Sequence, residues 1–227
     1  DKRLNQNTFT MSGTIYLIGG GEIAKGETQL IDDDIKKSAP RGSFFVFFPT
    51  AAGDSLKYSK TIQDVFGNYF NCWTATRDQG RSSIEKAIQS ANVIYLGGGK
   101  TELLMNLLLE WNLAPSLLKT FQRGAVIAGM SAGAQALSAY YVDEEADTIC
   151  FEQGWGLARV CSLVHAHENS AKKAFNLYGE NRKEVTNSFV AIGEKSAWRI
   201  SGSDEQKIGQ GLVWYAKDGS LDTLTRL

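Results

Sequence analysis

Cysteine, proline and histidine are scarce in this 227-residue chain, which has three, three and two of them. Cys72, Cys150 and Cys161 are too few and too scattered for a disulfide framework or a zinc site, and they read as reduced thiols of a cytoplasmic protein. Long apolar runs are missing too. The longest, Phe44 to Phe48 and Val93 to Leu96, are strand-sized and cannot cross a bilayer, and Ile15 to Ile18 is too short for a signal peptide, so no membrane partner is expected. Charge of one sign is also lacking, since 24 basic against 25 acidic residues leave a net −1, which argues against nucleic acid as a partner. Residues 1–10 are polar and precede Met11. They are expected to be an appended or frayed terminus with no role in the fold.

Glycine is plentiful, at 23 residues, and the 43% hydrophobic and 22% charged content is that of a globular chain. A single domain over residues 11–227 is expected, long enough to bury about 70% of its unfolded surface without disulfide or metal. Apolar strands are predicted at Thr14–Ile18, Ser43–Phe48, Tyr69–Trp73, Ala91–Leu96 and Ala125–Ala128. Helical spacing lies between them, after Asp54 through Phe66, from Ser82, over Thr101–Trp111 and over Ala114–Gln122. The last third reads as short strands near Leu163–Ala166, Phe189–Ile192 and Leu212–Tyr215, with a helix around Ser170–Tyr178. Continuous apolar strands alternating with helices imply an α/β fold, a mostly parallel sheet with helices on both faces in three layers.

Three glycine clusters each follow a strand. Gly97-Gly98-Gly99-Lys100-Thr101 is not a phosphate-binding P-loop, because the glycine that motif needs five positions earlier is Ile94. Gly19-Gly20-Gly21-Glu22-Ile23-Ala24 fits G-x-G-x-x-A, yet the second strand ends in Phe48-Pro49 without the acidic residue of a dinucleotide site. No cofactor or metal is therefore expected. The third cluster is more specific. Gly129-Met130-Ser131-Ala132-Gly133 fits G-x-S-x-G between a buried strand and a helix, the setting of a nucleophilic serine on a tight turn.

Such a serine needs a base, and only His165 and His167 exist. On a strand, both would point to one face, so spacing alone does not choose between them. For the acid, Glu194 directly follows an apolar strand. Its rival is the cluster Asp143, Glu144, Glu145 and Asp147, which reads as a solvated loop. The order serine, histidine, acid differs from the serine, acid, histidine order of α/β-hydrolases.

These residues resemble the serine peptidase family of peptidase E (aspartyl dipeptidase) and cyanophycinase. The resemblance is carried by Ile18-Gly19-Gly20-Gly21-Glu22, Phe48-Pro49-Thr50-Ala51-Ala52-Gly53, Leu96-Gly97-Gly98-Gly99, Gly129 to Ala134, Val164-His165-Ala166-His167 and Ile192-Gly193-Glu194. It implies a fold similar to class I glutamine amidotransferases (flavodoxin-like), with serine in place of their cysteine. It also implies Ser131 as nucleophile, His167 rather than His165 as base, Glu194 as acid, and the N–H groups of Gly99 and Ala132 as oxyanion hole. The implied substrate is a small peptide, cut as a dipeptidase would cut it, at aspartyl residues in the family's best-known case. Two features depart from the family pattern. Lys100 stands where relatives carry Asn, Asp or Gln beside Thr101, and Lys172 and Lys173, with Arg182 further on, stand where an arginine would hold an acidic side chain. Lysine attracts a carboxylate as a point charge but lacks the guanidinium fork. An esterase using the same turn, and a non-catalytic binding module on an amidotransferase-like fold, are the rival readings. The oligomeric state is open, a homodimer included.

Overall fold

The computed structural model of the protein describes residues 13–145, 148–181, 188–217 and 225–227. The polar segment 1–10 and residues Asp147 and Arg182 lie outside them. In chain order the strands and helices are β1 (Thr14–Ile18), α1 (Gln29–Lys37), β2 (Phe44–Phe48), α2 (Leu56–Phe66), β3 (Asn71–Thr74), α3 (Arg81–Ser90), β4 (Val93–Leu96), α4 (Thr101–Glu110), α5 (Ala114–Gln122), β5 (Val126–Met130) and α6 (Ala132–Leu137). There follow β6 (Ser138–Glu145), β7 (Thr148–Gln153), β8 (Ala158–Leu163), α7 (Glu168–Asn181), β9 (Phe189–Ile192), β10 (Ser196–Ser201), β11 (Asp204–Gly209), β12 (Val213–Ala216) and β13 (Thr225–Arg226).

Strands β1 to β5 are almost wholly apolar because both faces of their sheet are covered. Ile15, Leu17, Val46, Phe48, Ile94, Leu96 and Ile127 point to one face and pack with α3, α4, α5 and α6. Tyr16, Ile18, Phe45, Phe47, Val93, Tyr95, Val126 and Ala128 point to the other and pack with α1 and α2. The result is the expected three-layer α/β arrangement. The sheet order is β11-β10-β1-β5-β4-β2-β3, parallel from β1 to β3, with β10 and β11 added antiparallel.

The β-rich carboxyl third also builds a second sheet, in the order β13-β12-β9-β8-β6-β7. Its strands β6, β8 and β9 run parallel. One face, with Ala158, Val160, Val190, Ile192 and Val213, joins the core under α6, while Leu163, Phe189 and Ala191 on the other pack against Ala171, Ala174 and Tyr178 of α7. Two expectations change here. Asp143 is not in a solvated loop but on β6, opposite Cys150 of β7, because the period-two alternation that buries Val142 turns Asp143 to the other face. The strand expected at Leu163–Ala166 lies earlier and ends at Leu163, since His165 takes φ 52°, which no strand can continue.

One buried carboxyl works against this packing. Asp32, on α1, accepts a hydrogen bond from Thr28 Oγ1 through Oδ2 (2.8 Å), while its Oδ1 has no partner among the described residues. Loss of hydration, ahead of the opposing Thr28 bond, pushes its pKa up to about 6. The folded chain therefore holds this proton at pH values where the unfolded chain has released it, so stability falls as pH rises from about 4 to about 6 and stays lower above. Asp32→Asn keeps an acceptor for Thr28 and removes the titration. It is expected to stabilise the fold at pH 8 by about 1–2 kcal/mol and hardly at pH 4, as read from urea midpoints at the two pH values.

Candidate active site

Strands β1, β5 and β4 are parallel neighbours, so the three glycine-bearing segments that follow them leave the sheet at one edge. In the second sheet β8 and β9 are also parallel neighbours, and His165 and Glu194 each lie two residues beyond the carboxyl end of one of them. The loop after β1 joins the two edges with consecutive carbonyls. Ile18 accepts the N–H of Ser131 (2.9 Å), Gly19 that of His165 (3.0 Å) and Gly20 that of Lys195 (3.0 Å). The segment Ile18–Gly20 is thus a backbone clamp on three other loops.

The clamp brings three side chains into one hydrogen-bonded chain. Ser131 Oγ lies 2.8 Å from His165 Nε2, and His165 Nδ1 lies 2.5 Å from Glu194 Oε1. An ionised carboxylate only accepts, so Nδ1 carries the hydrogen and donates it to Glu194. That leaves the Nε2 lone pair to accept the Ser131 O–H. All three groups are reachable from solvent, the histidine and glutamate side chains being about half exposed.

His167 is not part of this chain, which corrects the assignment drawn from the resemblance. It stands immediately before α7, where its Nδ1 accepts the N–H of Ser170 (3.2 Å) and its own N–H is bonded to Ser170 Oγ (3.0 Å), a reciprocal cap of the helix start. The two histidines do not share a face because they are not on a strand. The backbone turns at His165 and sends its imidazole back toward β5, while His167 already belongs to the helix. His167 carries no cap signature in the sequence, because the usual pattern has a Ser, Thr, Asp or Asn followed three positions later by Glu or Gln.

Strain gathers at this spot. Among the described residues, five that are not glycine have positive φ, and three of them are Ser131 (50°), His165 (52°) and Lys195 (61°), the last adjoining Glu194. Each such conformation costs on the order of 1–3 kcal/mol and persists only where neighbours enforce it. Close backbone approach explains the small residues around the serine. A Cβ on Gly129 would lie 2.4 Å from the Gly133 carbonyl, and one on Gly133 would lie 2.2 Å from Leu96 O. Gly20 is equally constrained, since an added methyl would meet Glu194 Oε2 at 2.4 Å and His165 Nδ1 at 2.6 Å.

The other expected site residues separate into two groups. Gly99, at φ 139°, lies in the loop after β4, whose Gly98 Cα packs beside Ser131, and Ala132 opens α6 directly after Ser131. Lys100 is exposed at the start of α4. The Thr101 hydroxyl donates to Gln135 Oε1 (2.5 Å), which leaves it only acceptor capacity toward a ligand. Lys172 pairs with Glu168 one turn back on its own helix (2.7 Å), and Lys173 is exposed beside it. Among the described residues no group of three or more His, Cys, Asp or Glu side chains could hold a metal ion, and no helix is long and apolar enough to cross a membrane.

The model of peptidase family S51 matches residues 15–208, a span that runs from β1 into β11 and contains every residue of the hydrogen-bonded chain. The chain belongs to peptidase family S51. It is a family of serine-type peptidases. This S51 chain is 32% identical over 131 residues to the uncharacterized peptidase YgaJ of Bacillus subtilis (strain 168), a match spanning 55% of each protein. It is 26% identical over 223 residues to a "Probable alpha-aspartyl dipeptidase" of Drosophila melanogaster, covering 93% of this chain and 90% of that one. In fold, the S51 chain is similar to a crystal structure of a peptidase from an acI-B1 Actinobacterium, with TM-score 0.67, 21% identity and 96% and 95% of the two chains covered. It is also similar to a candidate Peptidase E protein of Listeria monocytogenes EGD-e, with TM-score 0.64, 16% identity and 88% and 99% covered.

Proposed function

We propose that this S51 chain hydrolyses an amide bond in a small peptide by way of an acyl-enzyme, with Ser131 as nucleophile, His165 as general base and Glu194 as the group that orients the imidazole. The observation that carries this reading is the unbroken contact from Ser131 Oγ through His165 to Glu194, at 2.8 and 2.5 Å. Ser131 Oγ attacks the peptide carbonyl while Nε2 takes its proton, and the imidazolium so formed is stabilised by the Glu194 carboxylate. The same proton then passes to the leaving amine. A water molecule, activated by His165, cleaves the ester and restores Ser131.

The tetrahedral oxyanion is assigned to the N–H groups of Gly99 and Ala132. Neither has a hydrogen-bond partner among the described residues, and both adjoin the serine turn. Lys100 offers an ammonium group next to Gly99, and an acidic side chain on the substrate would be attracted there. This agrees with the aspartyl dipeptidase name of the Drosophila relative.

The test is direct. A fluorophosphonate should label the folded protein at Ser131, located by peptide mass spectrometry. A dipeptide library containing α- and β-linked aspartyl members should then yield turnover that exceeds cleavage of p-nitrophenyl esters. Folded protein that remains unlabelled would refute the catalytic reading, and ester cleavage without any peptide cleavage would refute the peptidase reading.

A further inference from the structure

The segment 97–100 after β4 has four backbone donors, and three are occupied. Gly97 N–H donates to Phe48 O (2.9 Å), Lys100 N–H to Ala51 O (2.7 Å), and Gly98 N–H to a side chain, the hydroxyl of Tyr58 (3.2 Å). Only the Gly99 N–H is left over among these four. The Tyr58 hydroxyl in turn donates to Sδ of Met130 (3.5 Å), the residue just before Ser131. A single phenol on α2 thus bridges the loop that carries Gly99 and the turn that carries Ser131 and Ala132.

The phenol is itself held firmly. Its ring packs edge-on against Phe47 at 4.9 Å between centroids, and it fills the space beside Gly97, where an added Cβ would lie 2.9 Å from Tyr58 Cε1. Ser55 Oγ accepts the Tyr58 N–H at the start of the helix. Burial, ahead of every other influence, pushes the Tyr58 pKa up to about 12, so its proton is present across the neutral range and it can accept and donate at once.

We propose that Tyr58 is a positioning residue for the oxyanion hole, its hydroxyl tying the Gly97–Gly98 peptide, next to the one that bears the Gly99 N–H, to the Met130–Ser131 turn. The proposal rests on the reading of Ser131, Gly99 and Ala132 given above. Its physical content is preorganisation. Two N–H donors on different loops stabilise a developing oxyanion only if their separation is set before the reaction. The peptide bearing the Gly99 N–H is flanked by one whose N–H is held by Tyr58 and one whose N–H is held by Ala51, so loss of the phenol hydroxyl frees one side. Gly99 cannot compensate by shifting toward the turn at Thr50–Ala52, since its Cα already packs so closely that a Cβ would lie 2.1 Å from Ala51 O.

The experiment uses the rate of Ser131 phosphonylation by a fluorophosphonate, whose P=O oxygen occupies the oxyanion position, so no substrate need be known. Tyr58→Phe retains the ring and its Phe47 contact. It is expected to slow labelling about 10-fold, less than outright loss of an oxyanion donor, while the pH profile keeps its shape because the Ser131–His165 pair is untouched. Met130→Leu removes only the sulfur acceptor and should slow labelling by a smaller factor, which gives a second reading of the same tie if Tyr58→Phe folds poorly. Labelling of Tyr58→Phe at the wild-type rate would overturn the positioning role while leaving the proposed function intact. A slower rate accompanied by a displaced pH profile would overturn it too, because the phenol would then act through the serine–histidine pair. Wild-type protein that is never labelled would remove the proposed function, and this inference with it.

Discussion

His165→Ala is expected to lower kcat/KM about 10⁴-fold, whereas His167→Ala leaves it within about threefold of wild type. The contrast follows from what each imidazole touches. His165 bonds Ser131 through one nitrogen and Glu194 through the other, so its removal leaves the hydroxyl without a base and the carboxylate without a ring to orient. His167 spends its Nδ1 on the Ser170 N–H at the start of α7. Its loss exposes an orphan helix donor and should cost about 1 kcal/mol of stability, as N-cap removals do. Measuring both variants by fluorophosphonate labelling and by thermal melting separates the two effects. A severe loss of activity in His167→Ala, with His165→Ala active, would contradict the hydrogen-bond assignment outright.

The second large effect is expected where no side chain exists. Gly20→Ala places a methyl group 2.4 Å from Glu194 Oε2 and 2.6 Å from His165 Nδ1, well inside van der Waals contact. Either the carboxylate leaves the imidazole or the loop after β1 retreats, and retreat strains the bonds from its carbonyls to His165 and Lys195. Both outcomes disturb the geometry on which proton transfer depends, and a misplacement on the order of 1 Å costs about 100-fold in rate. The variant should still fold, since the sheet cores on either side are untouched, and circular dichroism checks that. Folded Gly20→Ala with wild-type labelling kinetics would show that the loop yields without consequence.

These two predictions mark where sequence and structure part company. The Ser131 turn was legible because its requirements are local. A tight bend with neighbouring backbones at 2.2–2.4 Å from any added Cβ demands Gly129 and Gly133 in a fixed spacing around the serine. Glu194 was legible as one of two candidates, the first acid after an apolar strand expected to end at a sheet edge, with the acidic cluster at 143–147 as the other. The choice between His165 and His167 was not. Residues two apart are equivalent on a strand, and the distinction arises from the left-handed φ of His165, which is enforced by the Gly19 carbonyl, nearly 150 positions away along the chain.

The glycine cluster after β1 shows the same limit from the other side. Gly19-Gly20-Gly21 matches a nucleotide-binding pattern in part and carries part of the family resemblance, but neither says what the segment holds. Its role depends on β1 lying between β10 and β5 and on the second sheet presenting β8 and β9 to it. The charged end of β6 likewise reads as loop in the sequence, because a strand with one polar face near its terminus has little apolar signal.

The sequence by itself determined the alternation of buried strands and helices and the serine turn, each a consequence of short-range sterics or of apolar period, and it offered Glu194 beside the acidic cluster at 143–147. Tertiary structure alone decided which imidazole joins them, why Gly20 must lack a side chain and which phenol spans the two donor loops. Those depend on backbone carbonyls and hydroxyls meeting across two sheets, and a hydrogen bond between segments remote along the chain leaves no mark in the spacing of residues.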